Sequence, residues 1–580
     1  MSRPSRWLFP KVEQSGVAAL SAALGISRPA AQVLVRRGYD TASSAENFLA
    51  ASFDTLHNPF GIRDMGRAVA RLRTAIARRE KLLLYGDYDV DGTASIVMLS
   101  KALEVLGSSA DFHVPHRLRD GYGMRTEVVE EAAARGVSLI VSVDTGIRAA
   151  DVVRHATAKS IDVIVTDHHL PEAQLPPAFA VLNPNRSDCD YPEKNLCGAG
   201  VALKLIDALL RELDWPEGRR ERLLKSLLKI AAIATVADVV PLTGENRVIV
   251  RHGLAGLTGT HNPGLRALMR LAGLREGEAP TAQQVAFRIA PRINAAGRMA
   301  NASDVIELFL TADERRAAVL AQELNARNLE RQQTEQSILL HIDEQLLAEP
   351  VDNARAALVF AGRDWHKGVA GIVASRVVER YCRPTFVLDI SPDGLAQGSG
   401  RGIAQFHLLE ALESMKDLFV KFGGHRQAAG VTLPADRVDE FRTRLNRYAA
   451  ARLRPDDFHP VLSVDAECRL AEIDDRAACE LLAMAPFGFG NPAPIIVVRG
   501  VELREAPRLI NGKHLRLRVF QEGRALDLKA WNFASRAAEL AAGRHLDIAF
   551  RIEEDTWSAG RGYSPYSCTL RDFRISTDGS

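Results

Sequence analysis

Hydrophobic and polar positions along this chain follow a rhythm that changes several times. From Lys81, short β-branched or leucine-rich runs are each followed by a segment of helical periodicity, the pattern of a parallel α/β sheet buried on both faces. The runs are Leu82–Tyr85, Leu139–Val143, Ile161–Thr166 and Phe179–Leu182. Each gives way at its carboxyl end to polar residues: Gly86-Asp87-Tyr88-Asp89, Asp144-Thr145-Gly146, Asp167-His168-His169 and Asn183-Pro184-Asn185. Ligands of open α/β sheets bind beyond the carboxyl ends of the strands, so these four clusters predict a site.

Elsewhere the rhythm differs. The stretch to about Phe60 mixes short helical patterns with Pro and Ser and carries no identifiable chemistry. From Thr311 to Leu347, Leu, Ala, Glu, Gln and Arg dominate without Gly or Pro, which predicts a long connecting helix. A second α/β pattern begins after Pro350 and is rich in glycine between Gly362 and Gly430. Beyond about Phe458 the pattern is mostly β. In His514-Leu515-Arg516-Leu517-Arg518-Val519-Phe520, basic and apolar residues alternate, which predicts a strand with His514, Arg516 and Arg518 on its open face. These changes divide the chain into an accessory segment (1–60), a parallel-sheet domain (61–310), a connecting helix (311–349), a second α/β domain (350–455) and a β-rich domain (456–580).

Composition agrees with several globular domains, because 580 residues exceed what one core holds when domains run to about 100–200 residues. Lys plus Arg (74) nearly cancel Asp plus Glu (72), so no global positive field marks a nucleic-acid ligand and only local basic grooves remain. Met1 to Pro10 lacks a following apolar h-region, and no apolar run approaches a membrane span, so a soluble, unexported protein is expected. The six cysteines form no CxxC pair, which argues against a zinc ribbon or disulfide scaffold and fits reduced thiols in a cytoplasm.

The densest chemical signal is Asp87-Tyr88-Asp89-Val90-Asp91-Gly92, between a strand and a helix. Three carboxylates this close repel one another unless cations hold them together, so a divalent metal is the economical explanation. A calcium loop of the D-x-D-x-D-G type would need a glutamate at its last position, which here is Met98. Asp144 and Asp167-His168-His169 add oxygen and imidazole donors at neighbouring strand ends, and Asp238 either adds another carboxylate or simply ends a helix. A mixed carboxylate and histidine shell suits Mn2+ or Mg2+ better than structural zinc. Two such cations activate water and stabilise a leaving oxygen, so phosphodiester or pyrophosphate hydrolysis is the expected chemistry.

These motifs resemble, in order, those of the DHH phosphoesterases: Gly86 to Gly92, Val143-Asp144-Thr145-Gly146, Asp167-His168-His169 and Ala234-Thr235-Val236-Ala237-Asp238. Gly423-Gly424-His425-Arg426-Gln427-Ala428-Ala429-Gly430 resembles the signature of the associated DHHA1 domain. Further stretches are similar to the RecJ family within that superfamily: Val114-Pro115-His116-Arg117 with Asp120-Gly121-Tyr122-Gly123, Pro291 to Arg298, Trp365 to Ile372, and Ser399-Gly400-Arg401. The resemblance implies an α/β multidomain fold, with a DHH parallel-sheet domain joined by a long helix to a DHHA1 α/β domain and followed by a β-rich OB-like domain. It implies a 5′-to-3′ exonuclease that degrades single-stranded DNA to mononucleotides in recombination and repair. It also implies two divalent cations, Mn2+ or Mg2+, held by Asp89, Asp91, Asp144, His168 and Asp238, with Asp144 bridging. Asp87, which either ligates or orients, and His169, placed either behind the ligands or near the scissile phosphate, complete the catalytic set. A monomer is expected, with a single-strand-binding protein and a RecQ-type helicase as implied partners.

The substrate groove is read from basic residues in turn-like or glycine-rich motifs, where guanidinium groups and backbone N–H groups reach phosphate. Arg117, Ser399 and Arg401 are the candidates for binding a terminal 5′-phosphate. Arg292, Asn294, Arg298, Trp365, Lys367, Gly424 and His425 are the candidates for the strand near the site. Arg516 and Arg518, with Lys529, Trp531 and Phe533, fit the basic and aromatic face of an OB-like domain. Two rival functions are a DHH hydrolase of small phosphoesters or short oligonucleotides, and a catalytically silent DNA-binding scaffold. The extra C-terminal domain argues against the first, and the unbroken acidic motifs argue against the second.

Overall fold

The computed structural model describes residues 4–576 apart from Leu118, Tyr122, Ala300, Asn353, Ala542 and residues 556–563. Its residues fall into two compact units. A parallel-sheet unit comprises Ala50–Arg331 with Ala485–Pro492, and a composite unit comprises residues 4–49, 332–484 and 493–576.

The parallel-sheet unit is built on five parallel strands in the spatial order Asp111–His113, Leu82–Gly86, Leu139–Val143, Asp162–Thr166, Ala180–Leu182. Side chains alternate across a strand, so each strand feeds two cores. Leu82, Leu84, Val141, Val143 and Ile164 enter one core with the helices Val90–Val105, Gly198–Glu212 and Glu217–Ala237. Leu83, Tyr85, Ile140, Val163 and Val165 enter the other with Val129 and Val153. The edge strand Asp111–His113 is absent from the hydrophobic runs of the sequence because two of its three residues are exposed. The chain leaves Leu82–Gly86 toward one edge and returns to pair Leu139–Val143 on the other side. That reversal opens a crevice at the carboxyl ends of these two strands.

In the same unit Lys204 pairs with Glu245, which also accepts from the Tyr191 hydroxyl at 2.6 Å. These buried polar groups are therefore mutually satisfied, and they fix the helix Gly198–Glu212 against the helix Gly244–Leu257.

The composite unit holds two larger sheets. One orders Lys421–Gly424, Ala428–Pro434, Leu395–Arg401, Thr385–Ile390 and Leu358–Arg363, with the last two parallel and the others antiparallel. In the other, Ile496–Leu503, Arg544–Glu554, Tyr566–Ile575, Arg524–Ala530 and His514–Gln521 follow one another, and a Glu502 to Phe520 pairing joins the last strand to the first. Five strands closed in this way form an OB-type barrel.

The segment Arg6–Leu8 pairs in parallel with Val461–Ser463, and the Trp7 indole donates to Asp572 Oδ2 at 2.9 Å. Arg536 pairs with the other oxygen of Asp572 at 2.6 Å. The helix Glu314–Ala348 is 35 residues long, and the division between the units falls within it at Arg331. Among the described residues no single helix is long and apolar enough to cross a membrane.

Candidate metal centre

The polar strand ends converge in the parallel-sheet unit. Asp87 directly follows Leu82–Gly86, and Asp89 caps the helix Val90–Val105 by accepting from Asp91 N at 2.9 Å and Gly92 N at 3.1 Å. Asp91, in the first helical turn, is 1% exposed. Its two oxygens accept from Gly198 N at 2.6 Å and Ala199 N at 2.7 Å, at the start of the helix Gly198–Glu212. The unpaired amides and the dipole of a helix start both favour a carboxylate there.

Asp144 ends its strand in the left-handed region, at φ 57°. That is an uncommon conformation for a non-glycine residue, and it is fixed by Asp144 N donating to Thr166 O at 3.0 Å. Gly198 makes room for it, since a Cβ there would lie 2.7 Å from the Asp144 Cβ. Asp238 caps the carboxyl end of the helix Glu217–Ala237. His168 Nε2 lies 3.1 Å from Asp144 Oδ1 and 3.7 Å from both Asp91 Oδ2 and Asp238 Oδ2.

Three overlapping triads result: Asp87, Asp89 and Asp144; Asp144, His168 and His169; and Asp91, His168 and Asp238. Within each, the donor atoms lie within 4.8 Å of one another. Among the described residues, the buried atoms Asp87 Oδ1, Asp238 Oδ2 and His168 Nε2 have no hydrogen-bond partner. Burial, then Asp91 and Asp89, pushes the Asp144 carboxyl well above its ordinary range. Burial and the same two neighbours push Asp238 up to about 9, and burial and Asp89 push Asp87 up. Burial pushes the His168 imidazole down. Such a set ionises together only when cations balance it, so the donor chemistry and the orphaned atoms fit divalent metal.

One residue outside the expected site set organises it. Asp167 Oδ1 accepts from His168 N at 2.8 Å, His169 N at 3.1 Å and His169 Nδ1 at 2.7 Å, while Oδ2 accepts from Ile147 N at 2.9 Å. Burial alone would raise its carboxyl, but the His169 hydrogen bond and these amides hold it below the ordinary range. Asn183 and Asn185 donate to the carbonyls of His169 and His168 at 2.8 and 2.6 Å. The two imidazoles are thereby held from behind at side chain and backbone.

Similarity to known proteins now bears on this geometry. Family models match in order: the DHH family N-terminal domain over residues 81–235, the DHHA1 domain over 353–451 and the RecJ OB domain over 464–563. The single-stranded-DNA-specific exonuclease RecJ of Bacillus subtilis is 37% identical, over 95% of this chain and 69% of its own length. That of Dickeya dadantii is 38% identical, over 85% and 88% respectively. The chain belongs to the RecJ family. The crystal structure of RecJ from Thermus thermophilus in complex with Mn2+ superposes with a TM-score of 0.82 at 31% identity, covering 98% of this chain and 79% of that one. A Mg2+ complex from the same organism gives 0.76 at 29% identity, with 98% and 78% covered.

The residues of this RecJ-family chain expected to meet the substrate fall in both units. In the parallel-sheet unit, the Arg117 guanidinium lies 5.0 Å from the Tyr88 ring centroid and electrostatically favours the ionised form of Asp87. Asn294 Oδ1 accepts from Val90 N at 3.3 Å, so it braces the acidic loop, and Arg298 sits in the last turn of the same helix, Ala290–Met299. Arg292 is engaged within the protein, donating to Asn325 Oδ1 at 3.0 Å, Leu271 O at 3.1 Å and Arg288 O. These bonds brace it at the position from which a phosphate contact is expected. Tyr122, part of the expected Arg117 motif, lies outside the described residues.

In the composite unit, Ser399 and Arg401 share the strand Leu395–Arg401, and the Arg401 guanidinium lies against Gly371 of the helix Lys367–Tyr381. Lys367 is exposed at the start of that helix. Gly424 and His425 are exposed at the turn after Lys421–Gly424, which His425 N closes on Ala428 O at 2.8 Å. Two of the aromatic candidates are buried in this structure. Trp365 is 3% exposed and its indole points at His341 Nδ1, 3.4 Å away, so it packs the unit and offers no open face to a base. Phe533 is 5% exposed and packs against Phe573. Arg516 and Arg518 are exposed as the alternation predicts, opposite Lys529 and Asp527, and Trp531 nearby is 51% exposed.

Proposed function

We propose that this chain hydrolyses single-stranded DNA from its 5′ end, releasing 5′-mononucleotides with two divalent cations, Mn2+ or Mg2+, in DNA recombination and repair. The observation that carries the reading is the buried carboxylate of Asp144, which belongs both to the triad with Asp87 and Asp89 and to the triad with His168 and His169. Asp89, Asp91, Asp144, His168 and Asp238 are the ligands in this reading, and Asp144 bridges. When bound, the cations activate water and stabilise the leaving oxygen of a phosphodiester. The chain's own residues do the rest. Gly198 N and Ala199 N fix Asp91, while Asp167 orients both imidazoles, so the ligands are set before substrate arrives. Asp87 either joins the ligands or orients them, and His169 either supports them from behind or faces the scissile phosphate.

End recognition is assigned to Arg117, Ser399 and Arg401, whose guanidinium and hydroxyl donors suit a terminal phosphate. The exposed Arg516, Arg518 and Trp531 supply phosphate contacts and stacking for the strand beyond the site. By the same reading the protein acts as a monomer in the cytoplasm, beside a single-strand-binding protein and a RecQ-type helicase.

The test uses a long single strand labelled at either end, with Mn2+ present or chelated. Early release of 5′-labelled mononucleotide, dependent on metal and absent from blunt duplex, is expected. Early release of the 3′ label overturns the polarity. Faster turnover of dinucleotides than of long strands favours a small-phosphoester hydrolase, and binding without release favours a silent scaffold.

A further inference from the structure

The segment Ala485–Pro492 belongs by its contacts to the parallel-sheet unit, although the chain on both sides of it belongs to the composite unit. Its sequence, Ala-Pro-Phe-Gly-Phe-Gly-Asn-Pro, reads as a loop, yet it is internally braced. Gly488 N donates to Asn491 O at 2.9 Å and Asn491 N to Gly488 O at 3.2 Å, while the buried Asn491 side chain donates to Pro486 O at 2.9 Å.

What the loop touches is the turn that carries Asp238. Phe489 O accepts from Leu242 N at 2.8 Å. A Cβ on Gly490, whose φ is +73°, would lie 2.7 Å from Pro241 Cβ, and one on Gly488 would lie 2.6 Å from Leu242 Cδ1. Between Asp238 and this contact stands Val239, a β-branched residue at φ 59° and 60% exposed. It follows the helix cap, where glycine is the usual residue, because a β-branched side chain disfavours the left-handed conformation. Unusual backbone of this kind persists where the surroundings over-determine it. Here the far end of the turn is fixed by Phe489 O and by Asn246 Nδ2, which donates to Pro241 O at 3.1 Å.

We propose that Ala485–Pro492 is a positioning clasp for Asp238: it holds the Val239 turn and so sets the Asp238 carboxylate beside His168. The clasp touches neither metal nor substrate in this role, and both its ends continue into the composite unit, so the geometry of one ligand is set by a segment encoded some 250 residues away. The inference rests on the assignment of Asp238 as a ligand made above.

The experiment measures Mn2+ binding to the full-length protein without DNA, by titration calorimetry and by the paramagnetic resonance of free Mn2+, with the melting temperature of the metal-free protein recorded alongside. Gly490→Val is expected to weaken one Mn2+ site by about tenfold to a hundredfold, the range for loss of a group that orients a ligand. The fold is expected to be retained. Gly523→Val, at a positive-φ glycine of the β-rich domain with nothing near its Cβ position, should leave Mn2+ binding unchanged. Val239→Gly, which lets the turn adopt its conformation unaided, should restore part of the affinity lost in Gly490→Val. If Gly490→Val fails to fold, the milder Gly488→Ala is judged by the same two readouts. Asp238→Asn separates the two assumptions. If it keeps both Mn2+ sites, the ligand assignment falls. If it loses one while the folded clasp variants keep wild-type affinity, the clasp is overturned.

Discussion

The metal cluster and the basic strand of the β-rich domain handle charge in opposite ways. Asp87, Asp91 and Asp144 are 4%, 1% and 2% exposed and lie close to other carboxylates. Arg516 and Arg518 are exposed on alternate positions of a strand whose other face is Leu515, Leu517 and Val519. Like charges packed out of water cost free energy that a bound cation offsets, whereas like charges in water cost little and attract a polyanion from a distance. The first arrangement suits chemistry at one point, and the second suits tracking along a strand.

The largest effect should come from the shared carboxylate. Asp144→Asn is expected to lower single-strand hydrolysis by about a hundredfold to a thousandfold, the scale for removing one preorganised electrostatic group. It should also raise the melting temperature of the metal-free protein, because the buried repulsion is relieved. A rate within a few fold of wild type would break the contrast drawn here.

Asp167→Asn tests whether the cluster depends on what holds it from behind. About tenfold to a hundredfold weaker metal activation is expected, with partial recovery at high Mn2+, measured as the half-activating concentration. Equal loss at all Mn2+ concentrations would mean that Asp167 acts otherwise than through the imidazoles.

Arg401→Ala should cost about 1.5–3 kcal/mol in binding a 5′-phosphorylated end, as expected for a hydrogen bond to a charged group, with far less change for a 5′-hydroxyl end. The ratio of initial rates on the two substrates is the measurement. The smallest effect should be at the basic strand, where Arg516→Ala and Arg518→Ala should each lower the slope of log affinity against log salt by about 0.7. Turnover at saturating DNA should hold. A large loss of turnover would place these residues in the chemistry and erase the distinction.

Much of this was legible in the sequence where a signal was local. Three of the five parallel strands are runs of five residues with apolar cores, and their acidic ends fall next to them in the chain. The strand Asp111–His113 was not legible, because an exposed edge needs no hydrophobic run. Asp167 was visible as part of Asp-His-His, but its orienting role appears only once the turn folds both histidines back onto it. Trp365 and Phe533 show the reverse limit: composition marks an aromatic residue, but whether its face is covered depends on partners such as Gly362 and Phe573. The clasp was illegible for the same reason, since Phe489 O and Leu242 N meet only through tertiary packing.

The bond between Trp7 and Asp572 joins residues 565 positions apart, and it sets a timetable for synthesis. At roughly 5–20 residues per second on the ribosome, the indole waits about half a minute to two minutes for its acceptor to be made. For most of that interval the strand Arg6–Leu8 also lacks its parallel neighbour Val461–Ser463, which is made before the carboxylate. Residues 50–331 can assemble during that interval, so Arg6–Leu8 leaves the ribosome before them and is seated after them.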